Sequence, residues 1–152
     1  MSELFKKLNL KEQTEIVILN APESFEAELA KIDGVAVLRE LKAVKKVAFL
    51  MAFVTKQKEV DTLAKAIGRK AEGDAIVWFV YPKGTSKRYK CEFNRDNGWA
   101  ALGEAGFETV RMVAIDEDWS AMRFRRAEFI KTMVRKSLPA ISEAGKARLG
   151  KK

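Results

Sequence analysis

Two hydrophobic rhythms alternate along the chain. Nearly continuous apolar runs stand at residues 15–20 (EIVILN), 46–54 (KVAFLMAFV) and 75–81 (AIVWFVY). Such runs, rich in β-branched and aromatic residues, predict strands buried on both faces, as in a parallel sheet covered by helices. Between them, apolar residues recur every three or four positions, the period of an amphipathic helix. One predicted helix opens at Asn20-Ala21-Pro22-Glu23, with Asn20 as cap and Pro22 in the first turn. It carries Phe25, Leu29 and Ile32 on one face and stops at Asp33-Gly34, where a glycine suits the C-cap. A second spans residues 55–70, capped by Thr55, with Val60, Leu63, Ala64 and Ile67 facing inward. Glu72-Gly73-Asp74 is read as the turn into the next strand, which Pro82-Lys83-Gly84 stops. A third helix, residues 95–105, lays Trp99 and Leu102 over the sheet and ends at Gly106. Residues 2–10 predict a short helix through Leu4, Phe5 and Leu8, and residues 127–136 a last one.

Residues 106–126 read as two strands joined by an acidic turn, Asp116-Glu117-Asp118. Strand alternation places Ser120, Met122 and Phe124 on one face and Trp119, Ala121, Arg123 and Arg125 on the other. Met122 and Phe124 are expected in the core, with Arg123 and Arg125 lying across Trp119 and the sheet edge. One joint stays open. A short strand is expected at residues 35–38, yet only residues 41–45 lie clear of it and of the next strand. Five residues reach at most about 17 Å, whereas a parallel crossover takes a dozen or more. Either the strand is very short, or it runs antiparallel, or a crossover helix has been lost. The expected fold class is α/β: a Rossmann-like three-layer structure with a mostly parallel sheet ending in an antiparallel β-hairpin. It forms one domain over residues 1–136, followed by a basic tail at 137–152.

Composition removes whole classes of chemistry. The chain has no histidine and one cysteine, Cys91. Ser-His-Asp and Cys-His pairs are excluded, as are zinc sites built on histidine or on several cysteines, and an internal disulfide. The cysteine usage and the lack of a signal-peptide pattern point to the cytoplasm. The longest apolar run, residues 47–54, is far below the roughly 20 residues of a membrane span, so no membrane contact is expected. The net charge of +8 is unevenly distributed: residues 121–152 hold ten Lys/Arg against two Asp/Glu, while residues 1–120 balance. Arg123, Arg125, Arg126, Lys131, Arg135 and Lys136 therefore form a candidate basic surface for nucleic acid or an acidic protein, binding weakly and salt-sensitively. A solvated tail explains the same charge run.

In an open α/β sheet, ligands sit beyond the carboxyl ends of the strands. Those ends carry Asn20, Pro22, Glu23, Thr55, Tyr81, Lys83 and Ser86, with Lys87 and Arg88 nearby. The helix after Asn20 offers free N–H groups. This set suggests a small anionic or nucleotide-like ligand; the alternative is that Asn20 and Thr55 only cap helices and the lysines are solvated. Ser86 with Lys83 or Lys87 has the composition of a nucleophile–base pair, but nothing in the sequence buries that loop. The acidic turn has ligands for a hard cation, or is simply a self-capping turn. No catalytic centre, cofactor or metal is assigned.

The order of elements resembles a compact Rossmann-like methyltransferase. Lys70-Ala71-Glu72-Gly73-Asp74-Ala75-Ile76-Val77-Trp78 resembles the approach to that superfamily's fifth strand, and residues 107–126 its last two strands. The superfamily binds S-adenosylmethionine through a glycine-rich loop and an acidic residue. Here the first loop is Asn20-Ala21-Pro22-Glu23-Ser24, without glycine, and Glu40 is the one acid placed to follow the second strand. The resemblance thus implies the fold, with at most an atypical transferase. A second resemblance covers about residues 8–130, to the bacterial domain of unknown function 3052 family. It is carried by Leu19-Asn20-Ala21-Pro22, Phe53-Val54-Thr55, Tyr81-Pro82-Lys83, Arg95-Asp96-Asn97-Gly98-Trp99, and Ile115-Asp116 through Trp119-Ser120-Ala121-Met122-Arg123-Phe124-Arg125-Arg126. It implies a fold and no reaction.

Overall fold

A computed structural model of the chain describes residues 3–91, 93 and 98–130. Six strands form one sheet in the order β2-β1-β3-β4-β6-β5. These are β1 (Glu15–Leu19), β2 (Ala36–Leu38), β3 (Val47–Phe53), β4 (Ala71–Pro82), β5 (Phe107–Ala114) and β6 (Trp119–Arg126). The first four pair in parallel. β6 inserts antiparallel between β4 and β5, closing the sheet with the expected hairpin.

Side-chain alternation along these strands sorts the core into two layers. Leu50, Ala52, Val77, Phe79, Met122 and Phe124 face α3 (Gln57–Lys70) and α4 (Ala100–Glu104). Ile18, Phe49, Met51, Trp78, Val80 and Ala121 face α1 (Glu3–Lys7) and α2 (Glu23–Leu29). Both faces of the central strands are thereby covered, which is why those strands read as continuous apolar runs.

The doubtful joint is parallel. β2 has three residues and pairs with β1, and a single 3-10 turn at Leu41–Ala43 replaces the crossover helix. A strand this short leaves little height to climb back. The Lys70 ammonium, at the end of α3, donates to the carbonyls of Leu41 (2.8 Å) and Val44 (2.9 Å) and fixes the turn.

Several sequence expectations are corrected. α2 begins after Pro22, which sits at the N-cap position, and ends at Leu29, five residues before Gly34. Asn20 does not cap it: Asn20 adopts a left-handed conformation (φ 58°), ending the strand instead. Thr55 does not cap α3 either. The Glu59 carboxylate reaches back to accept the N–H groups of Thr55 (2.9 Å) and Lys56 (3.0 Å). Glu72-Gly73-Asp74 is not a turn but part of β4, bulged against β3, with Gly73 at φ 55° absorbing the irregularity. Gly98 and Trp99 precede α4 rather than lying within it. Of the last helix, a 3-10 turn at Ala127–Phe129 is present; residues 131–136 and the tail lie outside the described residues.

Candidate functional site: the strand ends and the cleft after β4

The chain leaves β1 toward β2 on one side, while β3 and β4 build out on the other. The crevice between β1 and β3 is therefore a topological switch point, the usual ligand position in such sheets. Asn20, Pro22 and Glu23 follow β1 there, and Thr55 follows β3. Arg39, just past β2, holds Glu26 of α2 through two hydrogen bonds of 2.9 and 2.7 Å. These bonds keep the Glu26 carboxyl below its ordinary range and raise the Arg39 guanidinium. With seven residues, α2 offers a short dipole, so its N-terminus is a weaker anion site than the sequence suggested.

The remaining candidates meet elsewhere. Tyr81, Lys83 and Ser86 line one cavity of about 680 Å³ together with Tyr89, Lys90 and Met112. Asn20, Pro22, Glu23 and Thr55 do not line it, so the strand-end set divides into two places. Tyr81 forms the wall. Its ring packs 6.0 Å from Phe93 and 5.6 Å from Trp99, and its hydroxyl points to the Met112 sulfur at 4.0 Å. The Ser86 hydroxyl donates to Asp118 Oδ1 (2.9 Å) and accepts the Tyr89 N–H (3.2 Å). It is thus tied to a carboxylate in the hairpin turn, and the Ser86–lysine pairing drops out. Lys83 donates its backbone N–H to the Asp118 carbonyl (2.8 Å), leaving its half-buried side chain at the cavity. Lys87 and Arg88 lie on a neighbouring cavity beside Glu117 and Asp118. Asp116 is occupied by the turn, accepting the N–H groups of Asp118 (2.8 Å) and Trp119 (2.9 Å).

The hairpin arginines have distinct tasks. Arg126 donates to the carbonyls of Gly68 (3.1 Å) and Ala71 (3.0 Å), satisfying the end of α3, and lies 4.8 Å over the Phe107 ring. Arg125 grips Asp74 through bonds of 2.7 and 2.6 Å. Neither Arg125 nor Arg123 lies across Trp119, which packs against Phe53 and Tyr89 instead. Arg111 lies over the Trp78 ring. Lys131, Arg135 and Lys136 lie outside the described residues. Sequence reasoning passed over Lys11, Asp74 and Arg111, because they come from three separate elements and only the antiparallel insertion of β6 brings them near Arg123.

Known structures resemble this sheet. A SAM-dependent methyltransferase from Aquifex aeolicus superposes with a TM-score of 0.53 at 13% identity, over 82% of this chain and 88% of that one. The chain has a methyltransferase-like fold. The N-methyltransferase NodS from Bradyrhizobium japonicum WM9 gives 0.48 at 12% identity, over 81% and 92% of the two chains. The Methanococcus jannaschii fibrillarin pre-rRNA processing protein gives 0.48 at 11%, over 76% and 67%. At these identities the likeness speaks to architecture alone. No family model matches the sequence, and no curated protein matches it. Among the described residues, no helix is long and apolar enough to cross a membrane.

Proposed function

We propose that this chain is an atypical methyltransferase-like protein that uses its strand ends to bind a small anionic or nucleotide-like ligand. The observation that carries the reading is the cavity after β4, where the Tyr81 wall and the Lys83 side chain supply an apolar surface and a cation at one opening. Ligand sites of this kind combine mostly apolar walls with a few polar groups.

The adenosyl cofactor of the similar enzymes fits the switch point poorly. The loop after β1 has no glycine, and Pro22 at the helix start has no N–H to offer. Glu40, the acid past β2, is exposed and lies 3.6 Å from the Lys42 ammonium. The shared fold still favours a second reading, an S-adenosylmethionine-dependent transferase with an unusual cofactor loop. Membership of the domain of unknown function 3052 family is part of the proposal and rests on the sequence motifs alone.

A thermal-shift screen with nucleotides, small organic phosphates and S-adenosylmethionine, followed by titration calorimetry, tests both readings. A ligand at a hundred times its Kd adds about 2.7 kcal/mol of stability. The binding reading expects a nucleotide or organic phosphate to stabilise the protein, and Lys83→Ala to weaken that ligand about tenfold. Stabilisation by S-adenosylmethionine instead moves the case to the transferase. If none of them binds, or Lys83→Ala leaves affinity unchanged, the cavity reading is wrong.

A further inference from the structure

A second cleft lies on the α1 face of the sheet, beside the first half of β4 and away from the strand ends. It encloses about 290 Å³ and is lined by Asn9, Lys11, Asp74, Ile76, Arg123 and Arg125. Among the described residues lining it, three carry positive charge and one, Asp74, carries negative charge. That carboxylate is already engaged: both its oxygens accept hydrogen bonds from Arg125. Arg123 is different. Its Nε is buried and has no hydrogen-bond partner among the described residues.

A guanidinium N–H without an acceptor is costly, and a counter-charge beside Arg123 offsets part of that cost. The surroundings make the deficit plain. Burial, followed by the like charge of Arg125, lowers the Arg123 pKa, while Asp74 raises it and Arg111 lowers it further. Arg111 is itself held in place, donating to the Lys7 carbonyl and lying over the Trp78 ring. Trp78 in turn donates its indole N–H to the Leu8 carbonyl (2.9 Å), anchoring the segment that brings in Asn9 and Lys11. The cations are thus gathered on a rigid platform, and the group they lack is an acceptor with negative charge.

We propose that this cleft binds a phosphate-type oxyanion, as a free ion or a phosphomonoester, with Arg123 as its central donor and Lys11 at its rim. Arginine presents a planar fork matched to phosphate oxygens, and an oxyanion in the cleft offsets the repulsion between neighbouring guanidinium groups. Asp74 keeps Arg125 aligned while leaving Arg123 free.

The test titrates inorganic phosphate and, separately, phosphoserine into the full chain at ionic strength held constant with chloride, read by calorimetry and by melting temperature. Phosphate is expected to stabilise the protein beyond matched chloride. Arg123→Gln is expected to weaken it tenfold or more, and Lys11→Ala, an exposed position where folding is not at risk, severalfold. Phosphoserine binding at least as well as phosphate assigns the site to a phosphomonoester; binding of phosphate alone assigns it to the free ion. The proposal is overturned if phosphate does no more than chloride, if both variants bind as the parent does, or if an oligonucleotide binds through Arg123 while neither small phosphate does. Loss of binding in Arg123→Gln assigns the phosphate to this cleft, whereas loss in Lys83→Ala alone places it in the cavity after β4 and overturns the proposal, so the two sites are told apart.

Discussion

Asn20 shows how one residue can satisfy two sequence rules that only the backbone tells apart. Asparagine two residues before a proline reads as a helix cap, yet asparagine is also the non-glycine residue most at ease in the left-handed region, and that is where the chain places it. Asn20→Ala should cost about 1 kcal/mol because alanine pays the full left-handed penalty, while Asn20→Gly should be neutral or slightly stabilising. Urea denaturation of the two variants checks this, and equal losses in both would count against the left-handed role. Trp78 makes a second case at this scale. It is fully buried, and its indole N–H satisfies the Leu8 carbonyl. Trp78→Phe should therefore cost about 2–3 kcal/mol, combining a partial cavity with a buried carbonyl left without its donor. A loss below about 1 kcal/mol would mean that water replaces the indole.

Among elements, the strands and α3 were legible because burial on two faces and on one face leave different periodicities in the sequence. The element joints were not. The β2-to-β3 crossover looked too short because the rule assumes a helix. What permits eight intervening residues is a three-residue strand and a lysine from a distant helix holding the turn's carbonyls. Lys70→Met, keeping the stem and removing the donor, should destabilise by about 1–2 kcal/mol, and hydrogen exchange should rise first around residues 41–44. The Arg39–Glu26 pair ties β2 to α2 in a similar way. Its pH sense follows from the lowered Glu26 pKa. A depressed carboxyl contributes stability that is present above its unfolded pKa and lost as pH falls through the folded value. Parent and Arg39→Gln should thus differ near neutrality and converge in acid. Because both side chains are exposed, the difference should be small and should shrink in salt. A gap that persists unchanged at low pH would assign it to packing.

Across the whole molecule, the candidate site was legible in kind but not in place. The rule that ligands sit at strand ends selected residues from three loops, but it carries no information about the loop from Lys83 to Cys91, whose path divides Tyr81, Lys83 and Ser86 from Asn20 and Thr55. The basic excess was legible as a number, and the structure separates its parts. Arg125 and Arg126 serve Asp74 and the end of α3, and Arg123 faces a cleft. The cations left for a diffuse electrostatic role are those beyond Ile130. Residues 137–152 carry Lys146, Arg148, Lys151 and Lys152 against Glu143. If this segment meets a phosphate backbone, deleting it should lower the salt dependence of DNA retention by about three to four in the slope of log affinity against log salt, since each neutralised phosphate contributes about 0.9. Both described core layers close within residues 5–124, so the shortened chain should keep the parent's melting temperature. An unchanged salt slope would return the tail to plain solvation. A lowered melting temperature would show that residues past 136 pack on the sheet, and would place the domain's end later than the charge pattern does.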